Sequence, residues 1–353
     1  MPIKFNKLSG QAKLLNPLKN FELDSQSIEY REDPLTGYTS FIRPGRKEWG
    51  FMFKTDEKLL KELIEGSRGR CFFCPEKVDT STPKFPASFL PQGRIKFGEV
   101  TLFPNLFAHK EWSAIAVLSK SHYLKLSEFT PELLFNGLKA SLSYIDRAYR
   151  LERARYAELG FNYLFPAGAS IVHPHVQVLA SSMPYYLIKQ LMEYGRKYYE
   201  ENSVNFWWEL IETERSLGER YLGCLGNTEW YVPFAPIREE EVLGVVRNKS
   251  NFMEFDEADL KNLSLGLSTV LKYYEDAGYS AFNFAFYSGP LGEKLDYLWA
   301  GLRIVVRPGV QPNYVNDMWF PNVLHLDGFV YEFPEEIAKS LRGYFSTIKQ
   351  NPG

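Results

Sequence analysis

The segment His173-Pro174-His175-Val176-Gln177 places two imidazoles and one amide within five residues. A neutral imidazole can act as a nucleophile, a base or a metal ligand, and a glutamine amide can donate to an oxyanion without titrating. The apolar, β-branched residues on either side predict a strand. Because successive side chains of a strand point to opposite faces, we expect His173, His175 and Gln177 to share one face.

The pair Cys71 and Cys74 is separated by two residues, a gap at which both thiolates can reach one tetrahedral ion. Redox use and plain burial are the alternatives for an isolated pair. His122 and His173 could complete a site with two cysteines and two histidines, and His109 is the alternative to His122. We therefore predict one zinc ion per chain, held by Cys71, Cys74, His122 and His173.

The composition points to a small-molecule ligand. With 353 residues, 45 % of them hydrophobic, the chain can bury a large core as one large domain or two. The net charge is −2 and there is no dense block of Lys and Arg, which predicts no nucleic-acid partner and no membrane partner. The chain starts without the apolar run of a secretory signal, and three cysteines are too few for a disulfide framework. We therefore expect a cytoplasmic protein.

Helix and strand signals place these residues on regular elements. Thr130 followed by Pro131 is typical of a helix start, and the apolar spacing extends the predicted helix from Leu133 to about Leu151. A strand over 161–165 follows. A second helix is predicted over 259–275.

The same layout occurs twice along the chain. The stretch Phe161 to Gly168 matches Phe282 to Gly289, and Lys120-Ser121-His122 matches Lys249-Ser250-Asn251. His122 is the preferred metal ligand because the repeat marks its position. Where the first copy has its histidines, the second reads Ala300-Gly301-Leu302-Arg303.

The repeat predicts an α+β fold with an antiparallel-rich sheet flanked by helices. Residues 1–183 would form a unit with the metal site and the catalytic strand. Residues 184–353 would form a diverged unit without the histidine motif. The alternative is that two α+β units resemble each other only in composition.

The chain resembles the galactose-1-phosphate uridylyltransferase branch of the histidine-triad superfamily. Besides the Cys pair and Asn162 through Gln177, the elements that match in order are Asp33-Pro34-Leu35-Thr36-Gly37, Arg43-Pro44-Gly45-Arg46, Phe103-Pro104-Asn105-Leu106-Phe107 and Ser119-Lys120-Ser121-His122. The resemblance implies two tandem histidine-triad-like units in a homodimer. It also implies that His173 ligates zinc and that His175 is the nucleophile that forms a nucleotidyl-histidine.

The resemblance assigns further residues around His175. Gln177 stands where the hydrolases of the superfamily have a third histidine, which favours transfer over hydrolysis. The positions that match contacts to the nucleotide or its phosphates are Arg46, Phe73, Asn105, Phe107, Asn162 and Ser170.

The expected reaction is nucleotidyl transfer from a nucleotide sugar to a sugar phosphate. A phosphorylase acting on a nucleotide sugar or on diadenosine tetraphosphate, with inorganic phosphate as acceptor, is the alternative, and a non-catalytic zinc-stabilised nucleotide-binding protein is a third reading. The segment 317–324 lacks the Tyr-Glu pair that galactose enzymes present to the hexose. The sequence leaves open the base, the sugar, the acceptor and the roles of Cys224, His109 and His325.

Overall fold

The computed structural model describes residues 3–45, 52–313 and 316–348. The strands are β1 (Lys7–Asn16), β2 (Glu22–Glu32), β3 (Thr39–Ile42), β4 (Ile95–Phe97), β5 (Val100–Pro104), β6 (Trp112–Val117), β7 (Tyr156–Tyr163), β8 (His175–Ser181), β9 (Tyr221–Leu225), β10 (Thr228–Tyr231), β11 (Val242–Val246), β12 (Ala281–Tyr287), β13 (Gly301–Arg307) and β14 (Gly328–Val330). The helices are α1 (Glu57–Arg68), α2 (Pro75–Ser81), α3 (Pro131–Glu152), α4 (Tyr186–Asn202), α5 (Phe206–Leu217), α6 (Glu257–Asp276) and α7 (Pro334–Ser346).

The strands form two sheets. The smaller sheet has the order β1-β2-β3-β14, and the larger has ten strands in the order β4-β5-β6-β8-β7-β12-β13-β11-β10-β9. Every ladder of the larger sheet is antiparallel. The predicted class, α+β with an antiparallel-rich sheet flanked by helices, is confirmed.

The order of the larger sheet reads the same from its two ends. The sequence of strands β4-β5-β6-β8-β7 on one side corresponds to β9-β10-β11-β13-β12 on the other, and the two sides meet at the β7–β12 ladder. This seam runs from Phe282 opposite Tyr163 to Phe286 opposite Leu159. The division of the chain at 183/184 into two units stays a prediction.

The helices α3 and α6 cover one face of the larger sheet and pack against each other. Helix α3 begins where the sequence predicts, because the Thr130 hydroxyl accepts a hydrogen bond from the Leu133 amide and Pro131 occupies the first turn. Asp256 caps α6 in the same way. None of the helices within the described ranges combines the length and the apolar character that a membrane crossing requires.

The opposite face of the sheet, here called the site face, is defined by one row of paired residues. The row runs Phe103, Ile115, Gln177, Gly160, Ala285, Arg303, Leu243 and Tyr231. Residues directly opposite each other in an antiparallel ladder point to the same side of the sheet. Gln177 of the first half and Arg303 of the second therefore share the site face, with the small residues Gly160 and Ala285 between them.

Two strand boundaries differ from the sequence prediction. The predicted placement of His173 on the same strand face as His175 and Gln177 is wrong, because β8 begins only at His175. Pro174 has no N–H to donate to a ladder, so the strand starts after it and His173 lies in the loop before β8. The predicted strand over 161–165 instead begins at Tyr156, and a left-handed Leu164 with φ of 66° ends it.

Candidate active site and metal centre

Four sulfur and nitrogen ligands converge from separate parts of the chain. Cys71 follows α1 after a short turn, and Cys74 is the N-cap residue of α2. His122 lies in the loop after β6, and His173 immediately precedes β8. All four side chains are buried, and one ligand atom from each lies within 4.8 Å of the others.

The distances between these atoms fit a tetrahedral metal ion. The Sγ atom of Cys74 lies 3.4 Å from Nδ1 of His122 and 3.7 Å from Nδ1 of His173, and the Sγ atom of Cys71 lies 3.7 Å from the same His173 nitrogen. The bond lengths that zinc makes to sulfur and nitrogen give a tetrahedral S···N edge of about 3.6 Å. The three measured distances therefore match those of a tetrahedral site for one metal ion. His109 is exposed in another loop and is not part of this group.

Hydrogen bonds fix the imidazoles in the tautomer that a metal needs. Nε2 of His173 lies 2.7 Å from the carbonyl oxygen of Ser119, which can only accept, so Nε2 carries the proton and Nδ1 keeps its lone pair. Nε2 of His122 lies 2.9 Å from the Ser67 hydroxyl, and that hydroxyl donates to the Ile64 carbonyl. Nε2 of His122 is therefore also the donor, and both Nδ1 atoms are free to bind metal.

Burial sets the protonation of the ligands in the metal-free protein. It lowers the pKa of His173 to about 4 and lowers the pKa of His122, so both imidazoles are neutral. Burial, followed by the neighbouring Cys71, raises the pKa of the Cys74 thiol to about 12. A bound metal ion would stabilise the thiolate forms of the two cysteines, and metal binding would therefore release their protons.

Replacing Ser67 by Ala tests the support of the metal site. The substitution removes the acceptor for Nε2 of His122, so the imidazole loses both its tautomer preference and its orientation. We expect metal affinity to fall about tenfold, measured by competition with a chromophoric chelator. Ser121→Ala is the matched control, because Ser121 is exposed and its hydroxyl lies outside this network. Equal losses in the two variants would contradict the assignment.

His175 is the first residue of β8 and lies on the site face with its ring buried. Its Nδ1 lies 2.8 Å from the carbonyl oxygen of His173, so Nδ1 carries the proton. Burial lowers the pKa of His175, which keeps the ring neutral. The nitrogen with an available lone pair is therefore Nε2, and the metal-binding residue two positions earlier supplies the carbonyl that orients it.

A chain of hydrogen bonds reaches the site from the second half of the sheet. Arg307 forms a two-pronged ion pair with Asp317 and donates from Nη1 to Oδ1 of Asn283 at 2.7 Å. Because arginine can only donate, the orientation of the Asn283 amide is determined. Its Nδ2 then donates to Oδ1 of Asn162 at 2.7 Å and to the Ala167 carbonyl at 2.9 Å.

This chain leaves the amide group of Asn162 with its Nδ2 hydrogens available. Asn162 lies on the site face two residues after Gly160, which is paired with Gln177. Gln177 and Asn162 are both partly buried. The two amides can therefore donate to an oxyanion held on this part of the site face, and Asn283 and Arg307 act as positioning residues for one of them.

Asn283→Ala tests this positioning. The variant leaves Oδ1 of Asn162 without its donor and frees the amide to rotate, so the amide no longer presents Nδ2 reliably. We expect kcat of the transfer reaction that the sequence predicts to fall about tenfold, the value of one lost hydrogen bond to a charged group. KM and metal content should change little. Ala285→Ser, on the same strand and face, is the control, and a loss confined to thermal stability would contradict the positioning role.

An apolar cluster of side chains lies beside His175. The ring of Phe73 stands 5.2 Å from the His175 ring, centroid to centroid, and packs edge-on against Phe103. The buried residues of this small cluster are Val78, Phe103, Ile115 and Val117. This cluster forms an apolar wall next to the His175 ring.

The remaining residues that are predicted to contact the nucleotide differ in how exposed they are. Asn105 is partly buried, and its side chain accepts from the Phe107 amide, while the Phe107 ring itself is 77 % exposed. Ser170 is exposed in the turn before β8. Arg46 lies outside the described residues. The roles assigned to these four residues stay predictions.

Three contributions to the site were not anticipated from the sequence. Ser67 and the Ser119 carbonyl orient the metal-binding imidazoles, and Asn283 orients Asn162. The residue types along the chain do not show which backbone carbonyl will accept such a hydrogen bond. Asn283 could have been found from the sequence, because the internal repeat already matches it with Asn162.

Solved structures share this fold over most of the chain. A GalT-like protein and an ADP-glucose phosphorylase, both of Arabidopsis thaliana, each match with a TM-score of 0.68 and 18 % identity, over 89 % of this chain and 98 % of theirs. A uridylyltransferase structure matches with a TM-score of 0.66 and 18 % identity over 91 % of this chain and 99 % of that one. The protein therefore has the same fold as these GalT-like, ADP-glucose phosphorylase and uridylyltransferase structures, which is the fold that the sequence resemblance predicts.

The sequence also matches an uncharacterized protein of Archaeoglobus fulgidus. The two are 32 % identical over 348 residues, which is 98 % of this chain and 100 % of the archaeal protein. This chain and the archaeal protein belong to one family. No family model matches the chain.

Proposed function

We propose that the protein is a nucleotidyltransferase that works through a covalent nucleotidyl-histidine at His175. The observation that supports this most is the fixed tautomer of His175, whose Nδ1 is held by the His173 carbonyl at 2.8 Å and whose Nε2 keeps its lone pair. A neutral, oriented imidazole is a good nucleophile toward phosphorus. The fold is shared with uridylyltransferase and ADP-glucose phosphorylase structures.

In the first step Nε2 of His175 attacks the α-phosphorus of a nucleotide sugar. The P–N bond forms as the bond between the α-phosphorus and the bridging oxygen breaks, and a sugar phosphate leaves. The imidazole ring then carries a positive charge, which the His173 carbonyl stabilises through Nδ1–H. In the second step a phosphate oxygen of the acceptor attacks the same phosphorus, and the P–N bond breaks.

Gln177 and Asn162 serve both steps by donating to the α-phosphate oxygens. Amide donors bind the developing charge without titrating, and because they are already oriented they do not reorganise during the reaction. The absence of a general base at position 177 favours discharge to a phosphate acceptor over discharge to water.

We propose zinc as the metal, with Cys71, Cys74, His122 and His173 as its ligands. Two thiolates and two imidazoles in tetrahedral arrangement are typical of structural zinc. Zinc would crosslink the segments that carry these four ligands and so hold the start of β8 in place. His173 joins this crosslink to the catalytic histidine, because its imidazole faces the cysteines and its carbonyl orients His175.

A phosphorylase that uses inorganic phosphate is the second candidate. The ADP-glucose phosphorylase structure matches as well as any uridylyltransferase reported above. Asp317 is committed to Arg307 and so is not available to a hexose. The match to the ADP-glucose phosphorylase supports a nucleotide sugar as donor and leaves the acceptor to experiment.

The proposal includes a cytoplasmic homodimer of two-unit chains. Dimerisation is supported by the β1–β2 hairpin, which carries the exposed apolar residues Leu8, Leu15, Leu18, Phe21 and Leu23. Sedimentation velocity of the wild-type protein should give twice the mass of 40.9 kDa.

The proposed reaction is tested by trapping the adduct. The protein is mixed with UDP-glucose or ADP-glucose labelled in the α-phosphate, and mass spectrometry should detect an acid-labile nucleotidyl group on His175. The isolated adduct is then chased with galactose 1-phosphate in one tube and inorganic phosphate in another. The faster discharge identifies the acceptor. No adduct with either donor, or equal discharge by water alone, would contradict nucleotidyl transfer.

A further inference from the structure

A cavity lies on the site face, in the half of the sheet that does not carry His175. Its volume is about 560 Å³, within the range of roughly 300 to 1,000 Å³ that small-molecule sites occupy. Helices α4 and α5 roof it, and strands β10, β11 and β13 form its floor. His175, Gln177, Asn162 and Phe73 do not line it.

The floor of this cavity presents hydrogen-bond donors that the protein does not use. Arg303 contacts Glu241 through Nε at 2.8 Å, and its two terminal nitrogens make no hydrogen bond among the described residues. The hydroxyls of Tyr38, Tyr231 and Tyr287 likewise have no hydrogen-bond partner in the described part of the chain. None of these atoms is sealed off from the cavity.

The tyrosine hydroxyls stay protonated in this setting. Burial raises the pKa of Tyr287 to about 12 and raises the pKa of Tyr231 well above its ordinary value. Three hydroxyls and a guanidinium fork therefore line one cavity as donors, and a guanidinium fork suits a carboxylate or phosphate group. Hydrogen-bond donors that are nearly buried and have no acceptor cost free energy unless a ligand accepts their hydrogen bonds.

The carboxylates near the cavity are partly committed elsewhere. Asp33 accepts three hydrogen bonds at Oδ1 from its own turn, and Glu214 is paired with Arg220 at 2.9 Å. Asp327 also lines the cavity, and no hydrogen bond of its carboxylate occurs among the described residues. A carboxylate of this kind is suited to the hydroxyl groups of a sugar ring.

Aromatic side chains form the roof and one wall. Phe206 and Trp207 come from α5, Phe234 comes from the segment after β10, and all three are buried except where they face the cavity. Such rings pack well against the flat or apolar face of another ring. The cavity therefore combines an anion-binding floor, an acceptor for hydroxyls and an aromatic wall.

We propose that this cavity is a second ligand site, for a phosphate ester carrying a hydroxylated ring, with Arg303 and the three tyrosine hydroxyls holding the phosphate. A sugar phosphate and a nucleoside monophosphate share this chemistry. Gln177 and Arg303 are separated by three strand spacings, about 14 Å, so a ligand here leaves the His175 site free.

The test locates binding rather than activity. Hydrogen–deuterium exchange of the wild-type protein is measured with glucose 1-phosphate, with AMP and with inorganic phosphate, alongside calorimetric titration. We expect protection of α5 and of the segment around Tyr38 by at least one of the two esters. Protection by one ester only identifies the source of the phosphate. Absence of protection of α5 with all three probes would overturn the proposal.

Two variants separate this site from the reaction site. Arg303→Met should weaken the binding that protects α5 at least tenfold and leave any protection of β8 unchanged. Tyr231→Phe combined with Tyr287→Phe keeps both rings and removes two donors, so it should weaken the same binding without disturbing the fold. Full protection of α5 in both variants would also overturn the proposal. A lack of adduct on His175 would not, because the two readouts are independent.

Discussion

Replacing His175 by Asn is expected to lower the rate of nucleotidyl transfer on the order of 10⁴-fold, because the variant has no nitrogen that can form the covalent intermediate. Asparagine can keep a donor toward the His173 carbonyl, so the start of β8 should remain in place. The single-turnover rate with α-labelled UDP-glucose or ADP-glucose measures the loss directly. Nucleotide binding should fall far less than the rate, since the apolar cluster around Phe73 is unchanged.

His109→Asn is the matched control for this experiment. His109 is exposed and is not part of the metal group, so its loss should leave the rate within about twofold. A His175→Asn protein that still turns over at a hundredth of the wild-type rate would place the nucleophile elsewhere. The acid-labile adduct on another residue would then identify it.

Removing the metal is expected to have the second largest effect. Cys71→Ser combined with Cys74→Ser takes away both thiolates, and the double variant should retain less than about a tenth of the metal found in wild-type protein. If the metal is present at about a thousandfold its dissociation constant, its loss lowers the free energy of unfolding by about 4 kcal/mol. For a chain of this length that corresponds to roughly 5 °C in Tm.

Loss of the metal should also lower activity, because one segment of the chain carries both a metal ligand and the catalytic histidine. The His173 imidazole belongs to the metal group, and its carbonyl fixes the tautomer of His175. Cys224→Ser is the control, since Cys224 lies on β9 in the other half of the sheet. Metal analysis, calorimetry and the adduct assay are run on both proteins. A double variant with full metal content would reject the ligand set, and one with no metal but full adduct formation would reject the link to His175.

The fold was predictable where local chemistry decides it. Thr130 with Pro131 marked the start of α3, because a hydroxyl cap and a proline in the first turn are local signals. The start of β7 was misplaced, because the predicted strand began only after Gly160. In the sheet Gly160 is an ordinary member of the site-face row, opposite Gln177.

The metal group was predictable because its four residues are of types that rarely come together without an ion. The structure brings Cys71, Cys74, His122 and His173 within 4.8 Å. The amide network was not predictable, because it depends on which residues of two distant strands lie opposite each other. Only the register of the seam shows that Asn283 touches Asn162. The cavity at Arg303 was hidden for the same reason, since its lining comes from many separate segments.

The seam between β7 and β12 has a consequence for aggregation and for evolution. A half-sheet ending at β7 would expose a strand edge rich in aromatic residues, including Phe161 and Tyr163, and such edges invite pairing with other molecules. In this chain each half covers the edge of the other, so neither depends on a second molecule for that protection. A half whose edge is permanently covered is also released from any need to stay identical to its neighbour. That release accounts for how one half could keep a histidine strand while the other came to present Arg303.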